Sequence, residues 1–169
     1  MLNVILDIDG TLVDTREAST RSTYPHTTIP SLPGYHVFIR PYLDEFLQWL
    51  FKNFSVSVWT AGSEPYARWI SEHVIGRKTL RHILSARDCQ ASHDVYKNLK
   101  SLNYLSNIDP TINRRNTLLI DDSFANCTSQ QNNCVLVQEF NATVSGDSEL
   151  KYLPERIIKQ FDSIGRRRV

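Results

Sequence analysis

The sequence predicts an α/β fold in which a central parallel β-sheet is covered by helices on both faces, giving a three-layer sandwich. Two observations predict it. Short apolar runs of strand length alternate along the chain with longer segments whose apolar residues recur every three or four positions. In addition, the first run, residues 2–8, is rich in branched apolar residues, which is typical of a strand buried on both faces of a parallel sheet.

The elements of the first half have clear local signals. After the first strand, three prolines interrupt residues 16–34, and we predict a long ordered loop there. Apolar residues at three- and four-residue spacing then predict an amphipathic helix over residues 43–54, with Pro41 at its start. Residues 55–60 alternate apolar and polar side chains and predict a second strand. Ser63 is a good N-cap for the helix that follows.

The second half continues the alternation of strands and helices. A short strand is predicted at residues 82–86, followed by a polar stretch and a helix over residues 97–105. Two short apolar runs, residues 117–120 and 134–137, predict further strands. A closing amphipathic helix over residues 153–164 has a proline in its first turn. Such alternation implies right-handed crossovers between parallel strands.

Length and charge limit the classes of function. With 169 residues, 41% of them hydrophobic, the chain has the size of one globular domain, which we place at residues 1–164 with a basic tail at 165–169. The net charge is +1, and removing Arg166, Arg167 and Arg168 from it leaves −2. A body without surplus positive charge is not expected to contact nucleic acid directly.

Cysteine usage and the N-terminus predict the compartment. Cys89, Cys127 and Cys134 are odd in number and include no C-x-x-C pair, so the sequence predicts neither a disulfide framework nor a zinc site. The first residues lack the pattern of a signal peptide, and no apolar run is long enough to span a bilayer. We therefore expect an intracellular protein of the nucleus or cytoplasm, which is not secreted and does not contact a membrane.

Polar side chains fall at the predicted strand ends. Asp7 and Asp9 close the first strand two positions apart, so their side chains point the same way on an extended segment. Gly10 permits a tight turn whose amides can face an anion. Thr60 ends the second strand, and the acidic pair at 121–122 follows the fourth. Because ligands of parallel sheets bind at the carboxyl ends of the strands, we expect these side chains to form one site.

This order of motifs resembles the haloacid dehalogenase superfamily. Its four-part signature matches D-x-D-G-T at residues 7–11, Thr60, Lys97 and the acidic pair. The chain further resembles the branch of RNA polymerase II C-terminal-domain (CTD) phosphatases, which includes the small CTD phosphatases and the NLI-interacting factor-like proteins. Matching segments within residues 2–164 are residues 37–41 leading into 43–47, then 59–62, 87–89, 96–99 and 119–123. The resemblance implies the superfamily's Rossmann-like fold, with a small insertion instead of a large cap domain.

The resemblance also implies a magnesium-dependent phosphomonoester hydrolase that forms an aspartyl-phosphate intermediate. It implies that Asp7 is the nucleophile and a metal ligand. Asp9 would be the general acid and base, and its backbone carbonyl would bind the metal. Two anions must meet in this reaction, which is why a hard cation such as Mg²⁺ suits a site of carboxylates.

The remaining positions of the signature hold the phosphoryl group and complete the metal site. Thr60, Lys97 and Gly10 are expected to bind phosphoryl oxygens and to stabilise charge in the transition state. Asp122, with Asp121 beside it, is expected to complete the Mg²⁺ site.

The resemblance implies a protein substrate that carries phosphoserine or phosphothreonine, with the RNA polymerase II C-terminal repeat among the candidates. Arg87 is the candidate for substrate recognition in the small insertion. Tyr35 and Ser63 stand where the small phosphatases line a pocket for proline. Because Ser63 is polar where those proteins have an apolar residue, the need for a proline after the phosphoresidue is left open.

Two other functions remain open from the sequence. The D-x-D-G-T motif also opens polynucleotide 3′-phosphatases, so a phosphatase for nucleic-acid ends or small metabolites is one alternative. The lack of surplus positive charge disfavours it. A non-catalytic module that binds phosphorylated partners on the same fold is the other. The presence of every signature residue disfavours that reading.

Overall fold

The computed structural model describes residues 1–18, 32–76 and 78–165. Within these ranges the strands are β1 (Asn3–Leu6), β2 (Val13–Glu17), β3 (Tyr35–Ile39), β4 (Ser55–Trp59), β5 (Ile83–Leu84), β6 (Thr117–Asp121) and β7 (Cys134–Leu136). The α-helices are α1 (Leu43–Asn53), α2 (Glu64–Ile70), α3 (Ala86–Tyr96), α4 (Leu102–Ile108), α5 (Phe124–Thr128) and α6 (Glu149–Gly165). A π-helical turn (Ser71–Ile75) extends α2, and a 3₁₀ turn (Gln131–Asn133) precedes β7.

The five strands of the central sheet are parallel and follow the order β5-β4-β1-β6-β7. β1 lies in the middle, where Leu6 pairs with Val58 of β4 and with Ile120 of β6. Every residue of β1 is buried, as expected for a strand covered on both faces. This confirms the predicted α/β fold and places the ends of β1, β4 and β6 side by side at one edge.

The core has one layer of helices on each face of the sheet. Val4 and Leu6 pack with apolar residues of α1 and α6, whereas Ile5 between them packs on the opposite face with residues of α3, α4 and α5. This alternation follows from the two-residue period of a strand. No helix in the described ranges combines the length and apolar character that crossing a bilayer requires.

A second, two-stranded sheet differs from the predicted loop at residues 16–34. β2 and β3 pair in antiparallel register, from Val13 opposite Ile39 to Glu17 opposite Tyr35. The ends of the predicted loop are therefore strand, and residues 19–31 lie outside the described residues. The predicted basic tail at Arg166–Arg168 also lies outside them.

The helix predicted over residues 97–105 is wrong in its bounds, because residues 97–101 are not helical and only residues 102–105 belong to α4. The polar stretch before it is helix α3, which a capping box opens: Ser85 accepts from the Asp88 backbone, and the Asp88 side chain accepts from the Ser85 N–H. Lys97 then ends α3 in the left-handed conformation, with φ 55° and its N–H on His93 O. The chain is extended at Ser101 before α4 starts.

The closing helix begins earlier than predicted: α6 starts at Glu149, which places Pro154 inside the helix instead of in its first turn.

The cysteines also differ from the prediction. The structure joins Cys127 of α5 to Cys134 of β7 by a disulfide, with the two Cα atoms 5.4 Å apart, while Cys89 is free and buried. A spacing of seven residues carries no disulfide signature, and only the packing of α5 beside β7 brings the two side chains together.

Candidate active site

The acidic residues meet at the edge of the sheet where β1, β4 and β6 end. Asp7 follows β1 directly, Thr60 follows β4, and Asp121 is the last residue of β6. The N–H of Asp7 donates to Ile120 O at 2.9 Å, so the pairing of β1 with β6 continues into the site. This arrangement brings one ligand oxygen each of Asp7, Asp121 and Asp122 within 4.8 Å of one another.

The turn after β1 depends on Gly10. Gly10 has φ 77°, in the region that favours glycine. A Cβ atom here would lie 2.3 Å from Oδ2 of Asp122, so the missing side chain also makes room for that carboxylate. The N–H of Gly10 donates to Val13 O at 2.8 Å and is engaged inside the turn. The phosphate contact expected of Gly10 stays a prediction, while the structure shows that the absence of a side chain here is required by the turn and by Asp122.

Asp7 is the most enclosed carboxylate of the turn, with 5% of its surface exposed. Nζ of Lys100 donates to its Oδ1 at 2.5 Å, and Oγ1 of Thr11 donates to its Oδ2 at 2.8 Å. Burial is the largest influence and raises the pKa of Asp7 to about 7, against the lowering effect of Lys100, while the charge of Asp121 raises it further. A cation bound beside Asp7 would favour its ionised form.

Lys100 is the cation at the centre of the site. It is 2% exposed and donates to Asp7 and, at 2.8 Å, to Oδ2 of Asp121. Burial alone would lower the pKa of Lys100, but the two carboxylates raise it above its ordinary value. The ammonium group is therefore charged at neutral pH.

The structure brings Lys100 to the acidic residues, and not Lys97, the lysine that the sequence predicts to bind phosphate. Lys97 is exposed, and its Nζ donates to Asp94 O at 3.2 Å. After Lys97 the chain turns at Asn98, whose side chain donates to Asn126 O and to Ser129 Oγ. These bonds tie the segment to α5 and direct Lys100, two residues after Asn98, to the acidic residues.

Asp121 and Asp122 differ in their burial and in their hydrogen bonds. Oδ2 of Asp121 accepts from Lys100 and from Asn126 Nδ2, and its Oδ1 accepts from the Ser123 N–H. Asp122 is half-buried, and burial first and the charge of Asp121 second raise its pKa. A carboxyl group whose charge is unfavourable without a cation is suited to bind one. The three carboxylates fit a hard divalent ion such as Mg²⁺, and Asp7 and Asp122 are the residues that would hold it.

Asp9 lies on the open side of the site. It is exposed, and its two oxygens accept from different partners: Oδ2 from Thr60 Oγ1 at 3.1 Å, and Oδ1 from the Tyr66 hydroxyl at 2.6 Å. Thr60 is fully buried, and its Oγ1 accepts from the Gly62 N–H at 2.9 Å. Thr60 thus lies where the sequence predicts. The sequence analysis does not single out Tyr66, although its place in the first turn of α2, after the Thr60 strand end, is a signal that points to it.

The predicted substrate residues divide into two groups. A cavity of about 590 Å³ adjoins Asp9, and Tyr35 and Ser63 both line it. Its other walls are mostly apolar and come from Leu32, Pro33, Pro65, Tyr66 and Trp69. Arg87 does not line this cavity in the described part of the chain. It is exposed in the first turn of α3, next to Ala86, whose N–H donates to Gly62 O at 2.8 Å, so it lies at the same end of the sheet.

Comparison with known proteins shows the family of the chain. The model of the NLI interacting factor-like phosphatase family matches residues 2–165. The CTD phosphatase-like protein 355R of Invertebrate iridescent virus 6 is 33% identical over 159 residues, covering 83% of this chain and 86% of the relative. The protein of the same name from Invertebrate iridescent virus 3 is 28% identical over 154 residues, covering 81% and 83%.

Two solved structures share the fold. The fission yeast RNA polymerase II CTD phosphatase Fcp1, as an R271A variant bound to beryllium fluoride, superposes with a TM-score of 0.62 at 20% identity over 96% of this chain. A second Fcp1 structure gives a TM-score of 0.57 at 19% identity, also over 96% of this chain. The chain spans about half the length of these Fcp1 chains, 50% and 48%.

Proposed function

Because the chain belongs to the NLI interacting factor-like phosphatase family, we propose that it is a magnesium-dependent protein serine/threonine phosphatase that acts through an aspartyl-phosphate intermediate. The observation that carries the proposal is the buried cluster at the end of the sheet. There Asp7 contacts a charged Lys100, and Asp7, Asp121 and Asp122 converge within 4.8 Å. A module that only bound a partner would not need a nucleophile, a cation site and a buried lysine in contact.

The proposed first step is attack by Asp7 on phosphorus. An oxygen of Asp7 bonds to phosphorus as the ester P–O bond breaks, which divides hydrolysis into two easier displacements. Lys100 and the Thr60 hydroxyl would interact with the phosphoryl oxygens and offset the charge that develops there. Bound Mg²⁺ would supply a Lewis acid that polarises the phosphoryl group and reduces the repulsion between the two anions.

Asp9 is proposed to move the protons. As a neutral acid it gives its proton to the leaving oxygen of the ester, and as a carboxylate it then takes a proton from the water that hydrolyses the aspartyl-phosphate. Its exposure, in contrast to the burial of Asp7, gives it access to both the leaving group and water.

The cavity beside Asp9 supports a peptide substrate. A phosphoserine or phosphothreonine presented to Asp7 would have its neighbouring residues next to this mostly apolar cavity. The walls offer the aromatic rings of Tyr35 and Trp69. Such a surface suits an apolar neighbour of the phosphoresidue, proline included.

The test is a panel of substrates assayed with Mg²⁺ and with a chelator. It holds phosphoserine and phosphothreonine peptides, each with and without a following proline, beside a 3′-phosphorylated oligonucleotide. We expect the peptides to be hydrolysed, the activity to be lost in chelator, and Asp7→Asn to abolish turnover. Asp162→Asn, at an exposed position of α6, is the matched control with unchanged rate. Preference for the oligonucleotide would contradict a protein phosphatase, and full activity in chelator would contradict metal dependence.

A further inference from the structure

Two hydroxyl groups beside Asp9, those of Tyr66 and Thr15, have no role in the reaction as proposed so far. The Tyr66 hydroxyl donates to Oδ1 of Asp9 at 2.6 Å, and it lies 2.7 Å from Oγ1 of Thr15. The three groups come from different elements: Asp9 from the turn after β1, Thr15 from β2 and Tyr66 from α2. The second sheet and α2 are thus both connected to one exposed carboxylate.

The ring of Tyr66 is held in place independently of this hydrogen bond. A Cβ atom at Gly62 would lie 2.6 Å from Cδ1 of Tyr66, so the ring packs directly on the glycine after the Thr60 strand end. Burial first and the negative charge of Asp9 second raise the pKa of Tyr66 above its ordinary value. The hydroxyl therefore keeps its proton and acts as a donor to Asp9, and Thr15 can in turn donate to the phenol oxygen.

We propose that Tyr66 is a positioning residue for Asp9: by occupying Oδ1, it leaves Oδ2, the oxygen beside Thr60, as the one that exchanges protons with the substrate. This inference rests on the proposed function. In the acid form the proton is on Oδ2 while Oδ1 still accepts from Tyr66. As the ester P–O bond breaks and the bond from Asp7 forms, the O–H bond at Oδ2 breaks and its proton passes to the leaving oxygen.

The geometry explains why such a residue is needed. Asp9 is exposed, so the direction of its two oxygens depends on the hydrogen bonds that they accept. Thr60 contacts Oδ2, but its hydroxyl is also proposed to bind the phosphoryl group and would then turn away from Asp9. Tyr66 contacts the other oxygen and is not among the groups proposed to bind the phosphoryl group, so it can hold Asp9 throughout the reaction.

The test compares two substrates of similar shape that depend differently on proton donation. Phenol is a far more basic leaving group than 4-nitrophenol, so hydrolysis of phenyl phosphate needs a correctly placed acid more than hydrolysis of 4-nitrophenyl phosphate does. For Tyr66→Phe, which keeps the ring against Gly62, we expect kcat on phenyl phosphate to fall about tenfold or more and kcat on 4-nitrophenyl phosphate to fall less than about threefold, with KM unchanged. Thr15→Val should give the same pattern with smaller losses: kcat on phenyl phosphate should fall more than kcat on 4-nitrophenyl phosphate.

The control is Tyr104→Phe, which removes a hydroxyl that donates to Asp88 at 3.0 Å outside the site and should leave both rates unchanged. Equal losses on both substrates in Tyr66→Phe, or no loss on phenyl phosphate, would overturn the inference. If that variant does not fold, Thr15→Val decides in the same way, since it removes the hydrogen bond between Thr15 and Tyr66. If the native protein hydrolyses neither aryl phosphate, the proposed function fails, and this outcome is distinct from the failure of the inference.

Discussion

The buried Lys100 compensates the negative charges of the acidic residues in this site. Lys100 contacts both Asp7 and Asp121, and each of the three side chains is less than 10% exposed. Two adjacent carboxylates without a cation would repel each other, and one of them would take up a proton. Lys100 therefore stabilises the folded state in addition to its role in the proposed reaction.

We predict that Lys100→Met lowers the free energy of unfolding by about 3 kcal/mol, because it leaves two buried carboxylates without their partner. Phosphatase activity should fall at least about a hundredfold, since a preorganised charge contact to the phosphoryl group is lost. Denaturant unfolding and steady-state kinetics measure the two effects. Lys97→Met is the matched control, because Lys97 is exposed, and it should change neither quantity. A large loss of activity in Lys97→Met would contradict the assignment.

At the level of single residues, the sequence predicts the acidic groups and Thr60, but not the lysine and the tyrosine that contact them. The D-x-D-G-T motif has a fixed spacing on one strand end, so Asp7 and Asp9 are readable from the sequence. Lys100 and Tyr66 reach the site from separate segments. Their direction depends on where α3 ends and on how α2 packs, which a linear pattern does not show.

Among the elements, one buried arginine joins three segments around the site. Arg40 is fully buried at the end of β3, and it makes a two-pronged contact with Asp147, before α6, at 3.0 and 2.9 Å. It also donates to Thr11 O in the turn after β1 and to Gln138 O after β7. The guanidinium group thus supplies the donors that backbone carbonyls of irregular segments require when they are buried.

We predict that Arg40→Met lowers the free energy of unfolding by about 3 kcal/mol or more, because a carboxylate and several carbonyls lose their donors together. Arg68 gives a matched control, since it pairs with Glu64 on the surface of α2 at 2.8 Å. Arg68→Ala should cost less than about 1 kcal/mol. Equal costs for the two variants in denaturant unfolding would contradict the role of Arg40 as the link between the segments.

The elements that the sequence predicts correctly are those with a strong period or a strong cap. α1 has a regular apolar spacing, and α2 begins at Ser63, whose side chain accepts from the Tyr66 N–H. β2 and β3 were not predicted because their pairing partners are separated by the long segment between them. The length of α3 was missed because its apolar content is low, although the Ser85 and Asp88 capping box marks its start.

For the whole molecule, the two ends of the parallel strands carry different electrostatic networks. At the end opposite the site, Asp109 accepts from Arg81 at 2.8 Å and contacts His82 at 2.8 Å. Hydrogen bonds from Thr111 first, and then from His82 and Arg81, hold the pKa of Asp109 well below its usual range. No residue of this network takes part in the proposed reaction, so a substitution here should change the stability of the fold alone.

We predict that Asp109→Asn lowers the free energy of unfolding at pH 7 by on the order of 1 kcal/mol, which is modest because the network is partly exposed to solvent. The pKa of Asp109 is lower in the folded state than in the unfolded chain, so its contribution is present above about pH 4 and is lost as the pH falls. The difference from the native protein should therefore shrink towards pH 3. Urea unfolding at both pH values measures it, and a difference that grew at low pH would contradict the sign.

The last prediction concerns a metal and the stability of the whole fold. The cluster of Asp7, Asp121 and Asp122 carries three carboxylates against one ammonium group, and burial and Asp121 already raise the pKa of Asp122. Mg²⁺ that binds only the folded state should add about 2.7 kcal/mol of stability at a hundredfold excess over its Kd. Thermal unfolding with Mg²⁺ and with a chelator should show this as a rise in Tm.

Asp122→Asn separates this effect from a general effect of salt. Because the charge of Asp122 is unfavourable without a cation, the variant should be as stable as the native protein in chelator, or more stable. Its Tm should no longer rise with Mg²⁺, since a neutral amide replaces a charged carboxylate ligand. Asp162, an exposed residue of α6, is not part of the cluster, so Asp162→Asn should keep the full rise. An undiminished rise in Asp122→Asn would place the cation elsewhere and would contradict the metal site at the end of β6.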